Sequence, residues 1–116
     1  MKLEITEAVK TQTVQAIMRK NKVSHAAKAP STSKHIYSTT LGYGIYTEAV
    51  GANGYPATKA WGNSPEAVLI GTYNNAGAHA YDRLIADMQK LIAVLTEQGY
   101  TITPNIHRNN EYYVSK

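Results

Sequence analysis

The sequence predicts a small α+β domain in which an antiparallel meander sheet packs against one long amphipathic helix, with a helix or basic arm at the amino terminus. Three observations lead to this fold class. Residues 35–61 are rich in Tyr, Thr, Ile and Val and are punctuated by glycines, as in short antiparallel strands. Residues 76–98 repeat apolar side chains at i, i+3, i+4 and i+7, as in a helix. The length of 116 residues allows one hydrophobic core.

The first predicted element is a helix over residues 4–22. Its apolar stripe consists of Ile5, Ala8, Val9, Ala16 and Ile17. Val14 lies off this stripe. Residues 24–33 are small and polar and include a proline, which is typical of a linker. We therefore divide the chain into an amino-terminal segment, 1–34, and a single α+β domain, 35–116.

The meander is predicted to consist of three strands, over residues 35–41, 43–50 and 55–61. Asn53-Gly54 lies between the second and the third of these strands. An Asn-Gly pair is the strongest short-range indication of a hairpin, because both residues tolerate a positive φ. The three strands should therefore be antiparallel neighbours.

Residues 64–71 fit two structures equally well, a single helical turn or another strand. The helix over 76–98 follows, with Gly99 placed to end it in the left-handed conformation. Its apolar stripe consists of Tyr81, Leu84, Ile85, Met88, Leu91, Ile92 and Leu95. Residues 100–103 and 111–114 are predicted as the last strands.

Positive charge is concentrated in the first third of the chain. The net charge is +4, yet residues 1–34 carry seven basic and two acidic side chains, whereas residues 35–116 carry five basic and six acidic ones. Such a segment suits nucleic-acid phosphates or an acidic protein surface, and the alternative is a solvated tail. The predicted phosphate contacts are Arg19, Lys20, Lys22, Lys28 and Lys34.

The aromatic residues form the second unusual feature, because the chain has nine Tyr and one Trp but no Phe. Rings with a polar group concentrate at interfaces and on surfaces where bases stack. Tyr37, Tyr43 and Tyr46 fall in the predicted meander and are the candidate stacking residues. The alternative is that these rings form the core and cross-strand pairs.

Motifs for catalysis and metal binding are missing from the sequence. It has no cysteine, and its histidines show neither HxxxH nor HxH spacing. The serine-nucleophile elbow and the glycine-rich phosphate loops are also missing. We therefore predict no catalytic residue, no cofactor and no metal. An enzyme that uses His35, His79 or His107 with Tyr and Arg is the remaining alternative.

Neither a membrane span nor a secretory signal is expected. No apolar run approaches the roughly 18 residues that a span needs. The amino terminus lacks the basic-then-apolar order of a signal peptide. The sequence therefore predicts a cytoplasmic protein with no membrane partner, and it leaves self-association open.

Five short motifs occur in the order found in the first half of the ribonuclease H-like family. They are Ile36-Tyr37-Ser38-Thr39-Thr40, Gly42-Tyr43-Gly44-Ile45-Tyr46, Gly71-Thr72-Tyr73-Asn74-Asn75, Gly99-Tyr100-Thr101-Ile102 and Asn109-Asn110-Glu111-Tyr112-Tyr113-Val114. The chain therefore resembles that family over about 35–114. The resemblance places Thr39, Ala78 and Asn109 or Asn110 where the family has its metal-binding acids. Because these residues are uncharged, the resemblance implies a catalytically silent fold.

Together these features predict a non-catalytic nucleic-acid-binding protein that uses its basic amino-terminal segment and a Tyr-rich sheet. The alternative is a protein-interaction module, such as an inhibitor or antitoxin-like factor of a mobile element, that binds a partner through the Tyr-rich surface.

Overall fold

The computed structural model describes residues 1–23, 43–74 and 77–116. Its elements are helix α1 (Thr11–Lys20), strands β1 (Tyr43–Val50) and β2 (Ala67–Asn74), helix α2 (Tyr81–Glu97), and strands β3 (Thr101–Pro104) and β4 (Glu111–Ser115). The strands form one antiparallel sheet in the order β1-β2-β4-β3. The predicted α+β class is confirmed.

Both helices pack on one face of the sheet. The buried side chains that form this layer are Val14 and Met18 of α1, Met88, Leu91 and Leu95 of α2, and Ile45, Val68, Ile70 and Val114 of the strands. Alternation along each strand explains why these strand residues share a face. The packed stripe of α2 agrees with its predicted spacing, except that Tyr81 is exposed.

The structure corrects the predicted first helix. Its helical part begins at Thr11, so residues 1–10 precede it in a non-helical conformation. Val14 was predicted to lie off the apolar stripe, yet it is fully buried. With the helix starting at Thr11, Val14, Ile17 and Met18 follow the i, i+3, i+4 rule and form the inner face.

The predicted meander is also corrected. Residues 64–71, which fitted a helical turn or a strand, lead into β2, and β2 is central in the sheet. Residues 55–61 form no strand: after the Asn53-Gly54 turn only the bridge between Val50 and Pro56 forms, and a 3₁₀ turn follows at Lys59–Trp61. Pro56 has no N–H to continue a ladder. The strand predicted over 35–41 lies outside the described residues.

Helix α2 is shorter than predicted at its start and ends where its sequence indicates. A 3₁₀ turn, Ala78–Ala80, precedes it. Gly99 has a φ of +92°, and the N–H groups of Gly99 and Tyr100 donate to the carbonyls of Thr96 and Leu95 at 3.1 and 3.0 Å. This is the glycine-dependent cap that satisfies the last carbonyls of a helix. No helix in the described ranges is long and apolar enough to cross a membrane.

The second face of the sheet is covered by the first residues of the chain and by the loop 51–66. The N–H of Leu3 donates to the carbonyl of Ala52 at 2.7 Å, and the N–H of Thr6 donates to the carbonyl of Lys116 at 2.7 Å. The buried cluster on this face consists of Leu3, Tyr46, Val50, Ala67, Leu69, Tyr73 and Tyr113. Residues 1–23 therefore contact both faces of the sheet.

Candidate nucleic-acid interface

Arg19, Lys20 and Lys22 lie at the carboxyl end of α1, and together we call them the basic turn. All three side chains are exposed, and none has an ion-pair partner within the part of the chain that the structure describes. Cations in the last turn of a helix are also favoured by its dipole, which accounts for part of their placement. Lys28, Lys34 and Tyr37 lie outside the described residues.

Two contacts fix the direction of α1 along the edge of the sheet. Before the helix starts, the N–H of Val9 donates to the carbonyl of Glu66 at 3.0 Å, beside the Val50 end of β1. Further along, Nε2 of Gln15 donates to Oγ1 of Thr47 at 2.8 Å. The helix therefore runs toward the Tyr43 end of β1. The half-buried Tyr43 and the basic turn are brought to the same end of the domain.

Tyr46 was predicted to stack on bases, but the structure places it in the buried layer. Its ring covers Gly71, and its hydroxyl donates to Oε2 of Glu111 at 2.8 Å. Burial, followed by the hydrogen bond to Glu111, raises the pKa of Tyr46 far above its usual value. The ring therefore presents no open face to a ligand, and Tyr46 has a structural role.

Glu111 joins this buried tyrosine to the loop between β3 and β4. Its second carboxylate oxygen, Oε1, accepts from Nδ2 of Asn105 at 3.1 Å, and Arg108 approaches Oε2 at 3.8 Å. The backbone N–H of Asn105 also donates to the Glu111 carbonyl at 2.9 Å. A buried carboxylate with these partners is satisfied, and its evident effect is to fix the hairpin loop 105–110.

Tyr55 and Trp61 form a stacked pair on the surface. Their ring centroids lie 4.9 Å apart, and the ring planes differ by 8°. The two residues remain 53% and 55% exposed. Aromatic rings of this size usually contribute to a core or an interface, so this exposed pair is a candidate surface for stacking or docking.

The loop that carries this pair is pinned by two asparagines. Asn53 and Asn63 exchange side-chain amide hydrogen bonds of 3.1 and 3.0 Å. The Nδ2 group of Asn63 also donates to the carbonyls of Tyr55 and Pro56 at 3.3 Å, and the N–H of Tyr55 donates to Oδ1 of Asn53 at 3.0 Å. These bonds fix the loop around Tyr55, the ring on which Trp61 stacks.

A hollow of about 400 Å³ opens between this loop and the β3–β4 hairpin. We call it the aromatic pocket, and it is lined by Met1, Asn53, Gly54, Tyr55, Asn105, Ile106, His107 and Tyr113. Ile106 at its rim is 85% exposed. Among the described residues that line it, none is acidic, and Lys59 and Arg108 follow closely in the sequence of the two loops.

Tyr113 lies at the buried side of this pocket with 7% of its surface exposed. Its hydroxyl lies beside Gly54, where an added methyl carbon would be 3.2 Å from the oxygen. The hydroxyl has no hydrogen-bond partner among the described residues, although it is not sealed from solvent. Burial and then the charge of Glu111 raise the pKa of Tyr113, so the hydroxyl stays protonated and can donate.

A second hollow, of about 580 Å³, lies between the first residues of the chain and β3. Its lining includes Lys2, Glu4, Thr101, Thr103 and Lys116. The described part of this lining contains no aromatic ring, so it offers nothing on which a base could stack. Within residues 1–23, 43–74 and 77–116, no group of three or more His, Cys, Asp or Glu side chains is arranged to hold a metal ion.

Comparison of the chain with family models, with curated proteins and with solved structures gives no match. The resemblance to the ribonuclease H-like family stays a prediction. Of the positions at which that resemblance implies lost acids, Ala78, Asn109 and Asn110 are described, and they lie in the turn before α2 and in the β3–β4 loop.

The sequence did not identify the pair formed by Tyr55 and Trp61, because residues 55–61 were assigned to a strand. A strand would have placed these two residues, six apart, on the same face and about 20 Å from each other. The available indication was Lys59-Ala60-Trp61-Gly62, where a glycine follows an aromatic residue as at the end of a turn.

Proposed function

We propose that the protein binds nucleic acid without catalysing a reaction. The basic turn would contact phosphates, and the Tyr55–Trp61 pair would stack on bases. The observation that carries the proposal is the exposed, parallel pair with Lys59 in the same short turn. Stacking on aromatic side chains contributes roughly 1–3 kcal/mol per base, and adjacent cations contact the backbone.

The proposed stacking surface lies on the loop 51–66 and not on the sheet, where the sequence predicted it. Tyr46 is buried and Tyr43 is half-buried, whereas Tyr55 and Trp61 are held in solvent. The loop leaves the Val50 end of β1, and the basic turn lies toward the Tyr43 end. A nucleic-acid strand that contacts both the aromatic pair and the basic turn must therefore cross much of the domain, whose longest dimension is 38 Å.

This separation makes length dependence the sharpest test. A labelled oligonucleotide of about four nucleotides should bind weakly through the aromatic pair alone, and one of about sixteen should bind more tightly. For the longer strand, the logarithm of affinity should fall with the logarithm of salt concentration at a slope of roughly −0.7 per phosphate contacted. Fluorescence anisotropy over a salt series measures both quantities.

Charge reversal of the basic turn separates the two surfaces. In the triple variant Arg19→Glu, Lys20→Glu and Lys22→Glu, the longer strand should lose affinity and part of its salt slope, while the short strand is unaffected. The control reverses two cations, Arg83 and Lys90, which are also exposed on α2. If the two sets of reversals weaken binding equally per reversed charge, the protein has only a diffuse attraction for phosphates.

A protein partner is the second candidate, and one observation favours it. Ile106 and Met1, at 85% and 62% exposure, line the same pocket as Tyr55 and give it exposed apolar surface of the kind found at interfaces. A chain that binds no oligonucleotide at low salt, yet loses a co-purifying protein when Trp61→Ala is introduced, would replace the nucleic-acid proposal with this one.

A further inference from the structure

We propose that the aromatic pocket takes one unstacked nucleobase, so that the protein prefers flexible single strands to duplexes. This inference rests on the proposed function and names the form of nucleic acid that it would recognise. The pocket has the volume of a small-molecule site, and its wall, floor and rim each provide something that a base needs.

The wall of the pocket is the ring of Tyr55. Because Trp61 stacks on one face of this ring, the surface that Tyr55 gives to the pocket is its other face or its edge. A base that stacks on the free face would meet a ring that Trp61 already supports from behind. Such preorganisation lowers the entropy lost on binding.

The floor of the pocket is Tyr113, which supplies a hydrogen bond. Its hydroxyl lies beside Gly54, is not sealed from solvent, and has no partner within the described chain. The hydroxyl can therefore donate its hydrogen to an acceptor on a ligand in place of solvent. Carbonyl oxygens and ring nitrogens of the bases are acceptors of this kind.

The asparagine side chains of the pocket already make hydrogen bonds. The Asn53 amide is paired with Asn63, and the Asn105 amide donates to Glu111 while its oxygen accepts from the N–H of His107 at 3.0 Å. A base would thus be held mainly by stacking and by the Tyr113 hydroxyl, with the His107 side chain also among the lining residues. We therefore expect the pocket to accept several bases with little discrimination.

The rim favours the phosphates that accompany a base. The described residues of the lining include no acid, and His107 lies on the hairpin loop beside the 68% exposed side chain of Arg108. A base in a duplex is stacked and paired, and its extrusion costs a few kcal/mol. Single strands therefore enter the pocket more readily than duplexes.

The emission of Trp61 reports on this site through Tyr55, because Trp61 is the chain's single tryptophan and stacks on that ring. The intact chain is titrated with a thymidine oligonucleotide of about eight nucleotides and with an abasic strand of the same length and charge. We expect the thymidine strand to bind at least about fivefold more tightly and to change the emission, since each stacked base is worth at least about 1 kcal/mol. A hairpin duplex should bind with an affinity similar to that of the abasic strand.

Two variants test whether the preference for the thymidine strand over the abasic strand arises in the pocket. Tyr113→Phe removes only the hydroxyl and should weaken binding of the thymidine strand about two- to tenfold, as for one neutral hydrogen bond. Ile106→Ala removes an exposed part of the rim and should weaken the same strand without affecting the fold. Binding of the abasic strand should stay unchanged in both variants. Tyr81→Phe is the control, because Tyr81 is an exposed tyrosine remote in sequence from the pocket loops.

The possible results distinguish the two proposals. Equal affinity for the thymidine and abasic strands would overturn the pocket proposal and leave phosphate binding intact. A preference for bases that survives in both Tyr113→Phe and Ile106→Ala would assign stacking to the outer face of the pair, and it would also overturn the pocket proposal. Binding of neither strand at low salt would overturn the proposed function itself.

Discussion

Tyr46 and Gly71 are cross-strand partners on β1 and β2, and the ring of Tyr46 lies directly over the glycine. A methyl group at position 71 would overlap the Tyr46 hydroxyl oxygen. Glycine in a central strand usually weakens a sheet, but here it allows a close approach that no other residue would permit. The same approach directs the Tyr46 hydroxyl toward Glu111.

Gly71→Ala should therefore destabilise the fold by at least about 2 kcal/mol, because it displaces the ring and breaks a hydrogen bond to a charged group. Chemical denaturation followed by circular dichroism measures this change. The control repeats the substitution in a Tyr46→Ala background, where the cost should fall to near zero because the overlapping ring is gone. An equal cost in both backgrounds would show that the ring does not lie over Gly71.

Alkaline pH should destabilise the protein through Tyr46. Its pKa in the folded chain is raised, whereas in the unfolded chain it titrates near 10, so above about pH 10 the unfolded chain releases a proton that the folded chain retains. Stability is fully present below that pH and falls as the pH rises. Between pH 10 and 11 the wild type should lose up to about 1.4 kcal/mol more than Tyr46→Phe.

Thermal melts at pH 9, 10 and 11 test this expectation, with Tyr81→Phe as the control. Because Tyr81 is exposed, its substitution should leave the alkaline loss of stability unchanged. A Tyr46→Phe variant that loses stability as steeply as the wild type would show that the alkaline transition belongs to other groups, such as lysines.

The periodic spacing of apolar residues was enough to predict the buried face of α2, but it was not enough to predict that of α1. In α2, four turns of regular spacing predict the buried set, and the Gly99 cap is found where expected. Helix α1 has ten residues, so a start placed seven residues too early rotated its predicted inner face and left Val14 outside. A short helix has too few apolar residues to define its own phase.

The candidate site was hidden for a different reason. Asn53, Tyr55 and Trp61 gain their arrangement from a loop, and loop geometry depends on side-chain pairs such as Asn53–Asn63 that leave no periodic pattern. The charge asymmetry was visible in the sequence, whereas the burial of Tyr46 depends on Gly71 across the sheet. Residue composition alone therefore indicated aromatic surfaces without locating them.

Helix α1 should contribute to the core as much as α2 does. Met18 and Leu91 are both buried in the same cluster, so Met18→Ala and Leu91→Ala should each cost roughly 2–5 kcal/mol of unfolding free energy. Lys20→Ala and Lys90→Ala, which truncate exposed side chains on the same helices, should each change stability by less than about 0.5 kcal/mol. Denaturant melts compare the four variants.

This comparison also tests the predicted division of the chain at residue 34. If residues 1–34 formed a detached arm, Met18→Ala would leave the main transition unchanged. A large loss in Met18→Ala instead assigns α1 to the folded domain. Charge reversal in the basic turn must then be accompanied by a melt, because the turn lies directly after Met18 on a packed helix.

Asn63→Asp should loosen the aromatic pair while the sheet stays folded. The substitution replaces the Asn63 amide nitrogen, which donates to Oδ1 of Asn53 and to the carbonyls of Tyr55 and Pro56, with an oxygen that can only repel them. These bonds lie in an exposed loop, so we expect global stability to fall by only about 1 kcal/mol. The Trp61 side chain should become more accessible to a neutral quencher, and affinity for short oligonucleotides should fall as the Tyr55–Trp61 pair loses its order.

Ser64→Ala, an exposed neighbour in the same loop, is the control. Unchanged quenching together with weakened binding would attribute the effect to the added negative charge and not to the geometry of the pair.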